Sequence, residues 1–132
     1  MSYTGVGVIV ENNERKILLH LRDKATASMP NQWCLIGGRI EDNEHLNTAA
    51  TREVFEEANL ILETIEHIGD FEFEKKKIAL MYATVDAQQE DIKLGEGTDM
   101  KFIDRSEINN FIVGLPYLNP YLVQLQNFLK KF

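Results

Sequence analysis

The sequence predicts an α/β fold, a mixed β-sheet with helices covering both of its faces. Three observations lead there. The segments run in the order β-β-β-α-β-β-β-α, which a layered domain of sheet and helices accommodates. The central helical segment carries one apolar stripe and so does the C-terminal one, so each has a face to bury. At 132 residues, with no internal repeat, low-complexity tract or linker-like stretch, the chain is the size of one domain, 1–132.

Val6–Val10 and Lys16–Leu21 are apolar runs of strand length, joined by the turn-forming Glu11-Asn12-Asn13-Glu14. Residues Asp23–Gln32 form a polar loop with Pro30, and Trp33–Ile36 is a short strand running into Gly37-Gly38. A helix follows over about Leu46–Ala58. Leu46, Ala49, Ala50, Val54 and Ala58 recur on it at three- and four-residue spacing. Asn59 suits a left-handed cap, because asparagine tolerates positive φ. Two long strands, Ile61–Phe73 and Ile78–Ala87, flank Glu74-Lys75-Lys76-Lys77. A short strand, Met100–Ile103, leads into Asp104-Arg105-Ser106-Glu107, a capping-box pattern opening a short helix. In the last helix Asn119 caps, Pro120 suits the first turn and Lys130-Lys131 suit the negative dipole end. Its stripe is Tyr121, Leu122, Leu125, Phe128, Leu129 and Phe132.

Composition narrows the partners. The net charge is −7 and the longest basic run is Lys75-Lys76-Lys77, which argues against binding a long nucleic acid. A phosphorylated small molecule is compatible with that charge if a cation bridges the like charges. The longest apolar run falls far short of the roughly 20 residues of a membrane helix. Cys34 is the only cysteine, so no internal disulfide can form, and a reducing cytoplasm is the expected compartment.

The segment Gly37–Leu60, GGRIEDNEHLNTAATREVFEEANL, carries the chemistry. Glu53, Glu56 and Glu57 stand at i, i+3 and i+4, so a helix puts all three on one face. A Glu-rich helix face is ordinarily a solvated surface. Three crowded carboxylates also repel one another, and a hard divalent cation relieves that repulsion. Arg52 can reach Glu56 at i+4 or orient Glu53, and Glu44 lies just ahead of the helix near its positive end. A Gly-Gly turn there permits close backbone approach and frees a carbonyl oxygen.

This run resembles the signature of the Nudix hydrolase family, G-x5-E-x7-R-E-U-x-E-E-x-G-U, where U is aliphatic. Gly38, Glu44, Arg52, Glu53, Val54, Glu56, Glu57 and Leu60 all fall in register. The six fixed matches have a chance frequency on the order of 10⁻⁸ per starting position at average residue usage. The stretches LHLRDKATASMPNQWCLIGG and LGEGTDMKFIDRSEI also resemble the family, so the likeness covers most of the chain. Asn59 replaces the signature glycine, and Ile36 stands where many members have proline. Neither change removes a catalytic group.

The resemblance implies an α/β/α sandwich and Mg²⁺-dependent hydrolysis (Mn²⁺ as a substitute) of a nucleoside diphosphate linked to a group X. By position, Glu56 and Glu57 are its main metal carboxylates, assisted by the Gly37 or Gly38 carbonyl. Glu53 is a metal-shell residue or the base that activates water, and Arg52 orders the cluster. Glu96, in Leu94-Gly95-Glu96-Gly97, is a further acidic ligand or the base, with Asp99 as its substitute if the loop register differs. Tyr82 and Cys34 are expected to be structural, as is Trp33, which could alternatively stack on a base; Arg22 and Lys24 could meet phosphate or stand solvated. His20, His45 and His67 show no metal-ligand spacing.

Downstream marks of the ADP-ribose, dinucleoside polyphosphate and NADH types are missing, which leaves a MutT-like enzyme acting on (d)NTPs or modified (d)NTPs. The alternatives are a catalytically silent nucleotide-sensing module, a nucleotide-sugar hydrolase and an isomerase of the isopentenyl diphosphate type. A homodimer could form through Phe111, Ile112, Val113 and Leu115.

Overall fold

A computed structural model describes residues 2–22, 31–95, 99–111 and 119–132. One sheet contains β1 (Gly5–Asn12), β2 (Lys16–Leu21), β3 (Trp33–Cys34), β4 (Ile36–Arg39), β5 (Thr64–Phe73), β6 (Lys76–Val85) and β7 (Asp99–Asp104). The helices are α1 (Leu46–Ala58) and α2 (Pro120–Lys131). Short 3-10 segments lie at Gln89–Asp91 and Arg105–Phe111.

The sheet is mixed. β1 runs parallel to β6, and the other pairings are antiparallel. The main order is β3-β2-β1-β6-β5, with β4 paired to β1 and β7 to β2. All eight residues of β1 are buried, as a strand covered on both faces requires. Val6, Val8 and Val10 point to one face and pack with Ala49, Ala50, Val54 and Ala58 of α1. Ile9 points to the other face, where Leu122, Leu125 and Phe128 of α2 lie. Strand alternation therefore builds two cores, one under each helix. This is the α/β/α sandwich that the sequence predicts.

The boundaries differ from expectation in four places. Glu11 and Asn12 extend β1 rather than turning. The buried Glu11 carboxylate meets Arg105 at 2.6 and 2.7 Å and the Tyr82 hydroxyl at 2.6 Å, which offsets the cost of burying its charge. Trp33–Ile36 divides at Leu35, because β3 pairs with β2 whereas β4 pairs with β1. Gly37-Gly38 lie inside β4 instead of forming a turn. β5 and β6 occupy Thr64–Phe73 and Lys76–Val85, closed by Glu74 and Lys75 at φ 52° and 64°. Positive φ at both central residues is the mark of a two-residue hairpin turn, so Lys76 and Lys77 fall in the strand.

The helix caps follow the sequence. Asn59 takes φ 59°, ψ 34°, and its N–H donates to the Phe55 carbonyl. The Asn119 side chain accepts from the Leu122 N–H, with Pro120 in the first turn of α2. Leu122, Leu125 and Phe128 of the α2 stripe are buried, while Phe132 is exposed and stacks on Phe128.

Candidate functional site

α1 carries the site, and its alanines explain how. Ala49, Ala50 and Ala58 let the helix lie close on the valines of β1. The polar edge next to that seam then faces β4. Gly38 is the point of closest approach: a Cβ there would overlap the Glu53 carboxylate. Gly37 is equally constrained from another side, since its Cβ would come within 2.5 Å of the Val6 carbonyl oxygen. Both glycines are needed for proximity within a strand, not for a turn.

The two glycine carbonyls point in opposite directions. The Ile40 N–H donates to the Thr4 carbonyl, and the register pairs Gly38 with Val6. Antiparallel alternation then turns the Gly38 carbonyl toward β1 and the Gly37 carbonyl away from it.

Arg52 is the hub of the cluster. Its Nε and Nη2 donate to the two Glu44 oxygens at 2.8 and 2.9 Å, a bidentate pair. Nη1 donates to Glu53 at 2.9 Å and to Glu56 at 3.1 Å. Nη2 also donates to the Arg39 carbonyl at 2.9 Å, tying α1 to the end of β4. Glu44 in turn accepts from the Glu41 N–H at 3.0 Å, so it holds the loop before α1 against the helix. Arg52 holds the Glu44 carboxyl down at about 2. Burial pushes Glu53 above its ordinary value; Arg52 opposes that shift and the Glu56 charge adds to it.

Glu56 is exposed and Glu57 is buried, at 5%. Glu57 meets His20 of β2, whose Nδ1 lies 3.4 Å from its Oε1. The sequence holds one signal for His20: it shares the inward face of β2 with Leu18, an apolar position. The backbone of residues 93–95 closes the end of α1, with Lys93 N–H donating to the Ala58 carbonyl and Gly95 N–H to that of Glu57. A Cβ on Gly95 would strike the Glu56 carbonyl. These bonds satisfy carbonyls that a helix end leaves open.

The structure thus brings together Gly38, Glu44, Arg52, Glu53, Glu56 and Glu57. Glu96 and Lys24 lie outside the described residues, as do Ile112, Val113 and Leu115. Asp99 accepts from the Met100 N–H at 2.7 Å and lies 3.9 Å from Lys101. Trp33 packs edge-on against Phe111, and Tyr82 stacks on Phe128. Cys34 is buried and its thiol is pushed up to about 11 by that burial.

Among the described residues no group of three or more His, Cys, Asp or Glu side chains converges as a ready-made metal cage. The available donors are all hard oxygens, with a glycine approach that admits them closely.

The family model for the NUDIX domain matches residues 1–116. A Xenopus laevis protein named m7GpppN-mRNA hydrolase is 39% identical over 61 residues, 46% of this chain and 21% of that protein. Its human counterpart is 36% identical over 58 residues, 44% of this chain and 18% of that one. The chain spans about a fifth of the length of these curated relatives. Among solved structures, a MutT from Aliivibrio salmonicida and Vibrio cholerae work aligns at TM-score 0.76 with 21% identity, covering 98% of both chains. A NUDIX hydrolase from Nitrosomonas europaea aligns at TM-score 0.76 with 26% identity, over 99% of this chain and 73% of that one. The chain belongs to the Nudix hydrolase family.

Proposed function

We propose that the chain is a Mg²⁺-dependent pyrophosphohydrolase cleaving a (d)NTP or modified (d)NTP to NMP and pyrophosphate. The observation that carries this is the cluster on α1: three carboxylates on one helix face, two of them held in place by Arg52. Like charges at this spacing repel one another, and a divalent cation held there would relieve the repulsion.

Glu57 and Glu56 are the proposed metal carboxylates, and the Gly37 carbonyl, turned away from the β1 ladder, is the better placed of the two glycine oxygens. A Mg²⁺ held by these oxygens would supply neutralisation of the diphosphate and of charge on the leaving oxygen. Glu53, held by Arg52 Nη1 at 2.9 Å, is the proposed group that orients the attacking water and accepts its proton. Glu96 is the second candidate for that proton. Arg52 bridges Glu53 and Glu56 through Nη1 and so orients both.

The mRNA-hydrolase names of the relatives favour a second reading, a nucleoside diphosphate linked to a larger group X. No helix among the described residues is long and apolar enough to cross a membrane. A cytoplasmic location rests on the free, buried Cys34, and a homodimer is testable by sedimentation.

The test is turnover of a panel: dNTPs, 8-oxo-dGTP, ADP-ribose, NDP-sugars, a diadenosine polyphosphate and m7GpppG. Hydrolysis of one class, lost in Glu57→Gln, supports the reading and names the substrate. Tight nucleotide binding without turnover of any member would replace the hydrolase by a sensing module.

A further inference from the structure

His20 and Glu57 form a buried polar pair between β2 and α1. His20 is 6% exposed and Glu57 is 5% exposed. Around them the α1-facing core is apolar, with Leu18, Val54, Ala58 and Met100 among its members. Burying an imidazole and a carboxylate in that core carries a desolvation cost, which their mutual contact offsets in part. The strand leaves His20 no other direction. Its register sets it opposite Met100 of β7, and alternation turns it to the same face as Leu18.

The three glutamates are held in different ways. The Arg52 guanidinium engages Glu53 and Glu56 from the polar side. Glu57 is met from beneath, by the His20 Nδ1 at 3.4 Å from its Oε1. An N–H at Nδ1 donating to that oxygen fixes the plane of the carboxylate. That plane sets where the second oxygen points, which decides whether it can serve a cation.

We infer that His20 is a positioning residue, which presents the buried Glu57 carboxylate to the divalent metal through the contact of its Nδ1 with Glu57 Oε1. The inference rests on the metal role proposed for Glu57. Groups that hold a metal ligand from behind typically change affinity by about 10- to 100-fold when removed.

Mn²⁺ binding to the intact protein, followed by the loss of the free-ion electron paramagnetic resonance signal, tests this without any substrate. The variants are His20→Leu, which fills the space without a donor, and His20→Asn, whose side-chain amide can place an N–H near the Nδ1 position. Glu57→Gln is the control. His20→Leu should weaken Mn²⁺ binding by about 10- to 100-fold and melt below the wild-type temperature without metal, because it leaves the Glu57 carboxylate buried without its imidazole partner. His20→Asn should recover most of the affinity. Wild-type affinity in His20→Leu, with affinity lost in Glu57→Gln, would reduce His20 to a core residue and overturn the inference alone. Unchanged affinity in Glu57→Gln would remove the metal role itself, and the inference with it. If His20→Leu does not fold, equal Mn²⁺ affinity in His20→Asn and His20→Ala serves as the refuting result.

Discussion

Gly38→Ala should damage the site and largely spare the fold. The added methyl would overlap the Glu53 carboxylate, which must rotate away because β4 is held by β1. Rotation breaks the 2.9 Å bond from Arg52 Nη1 to Glu53. A hydrogen bond to a charged group contributes about 1.5–3 kcal/mol, and part of that returns when the displaced carboxylate regains water. A net loss of about 1 kcal/mol follows, or roughly 3–5 °C in melting temperature at this chain length. Activity should fall much further, by about 10²- to 10⁴-fold in kcat, the range for losing a positioned proton acceptor. Gly37→Ala is the contrast. Its methyl meets the Val6 carbonyl oxygen at 2.5 Å, a backbone atom in the ladder that cannot swing aside, so the melting temperature should fall much further than in Gly38→Ala, with turnover lost alongside it. Steady-state kinetics beside thermal melts separate the two variants. A Gly38→Ala protein with near-normal kcat would refute the role given to Glu53 and to the glycine beside it.

Three further outcomes follow from the geometry. Arg105→Met strands the Glu11 carboxylate, 5% exposed, without its cation. Urea unfolding should show about 3–5 kcal/mol lost, with much of it recovered in the Glu11→Gln/Arg105→Met double variant. Glu44 is held at about 2 against an ordinary 4.5, so its stabilising contribution is complete above the ordinary value and disappears as pH falls from there toward 2. Arg52→Met should therefore flatten the acid side of the stability profile between those pH values, and an unchanged slope would dissociate Arg52 from acid stability. Asn59 sits at φ 59° at the end of α1. Asn59→Gly should match or slightly exceed wild-type stability, whereas Asn59→Val should lose about 1–2 kcal/mol, both read from denaturant midpoints.

Local order was legible in the sequence wherever one element's own spacing decided it. The Ala49/Ala50/Val54/Ala58 stripe, the Asn59 cap and the Leu122/Leu125/Phe128 face each follow from one helix's periodicity. So does the pairing of Glu53 and Glu56 with Arg52, because those residues lie within four positions of it. What depends on partners distant in sequence was not legible. Trp33–Ile36 reads as one strand, and only the different partners of β3 and β4 divide it at Leu35. Glu11 reads as a turn residue until Arg105, 94 positions away, supplies the charge that lets it be buried in β1. His20 shows no ligand spacing because its partner lies on another element, and only the sheet register turns it toward α1.

The central claim is that α1 builds a metal-dependent site for splitting a diphosphate. Phosphorus-31 NMR of the best substrate from the panel, with Mg²⁺ and then with the metal chelated, tests it most directly. If that substrate is a triphosphate, pyrophosphate and a nucleoside monophosphate should appear with Mg²⁺, and neither after chelation or in Glu57→Gln. Undiminished turnover in chelator, or in Glu57→Gln, would contradict it.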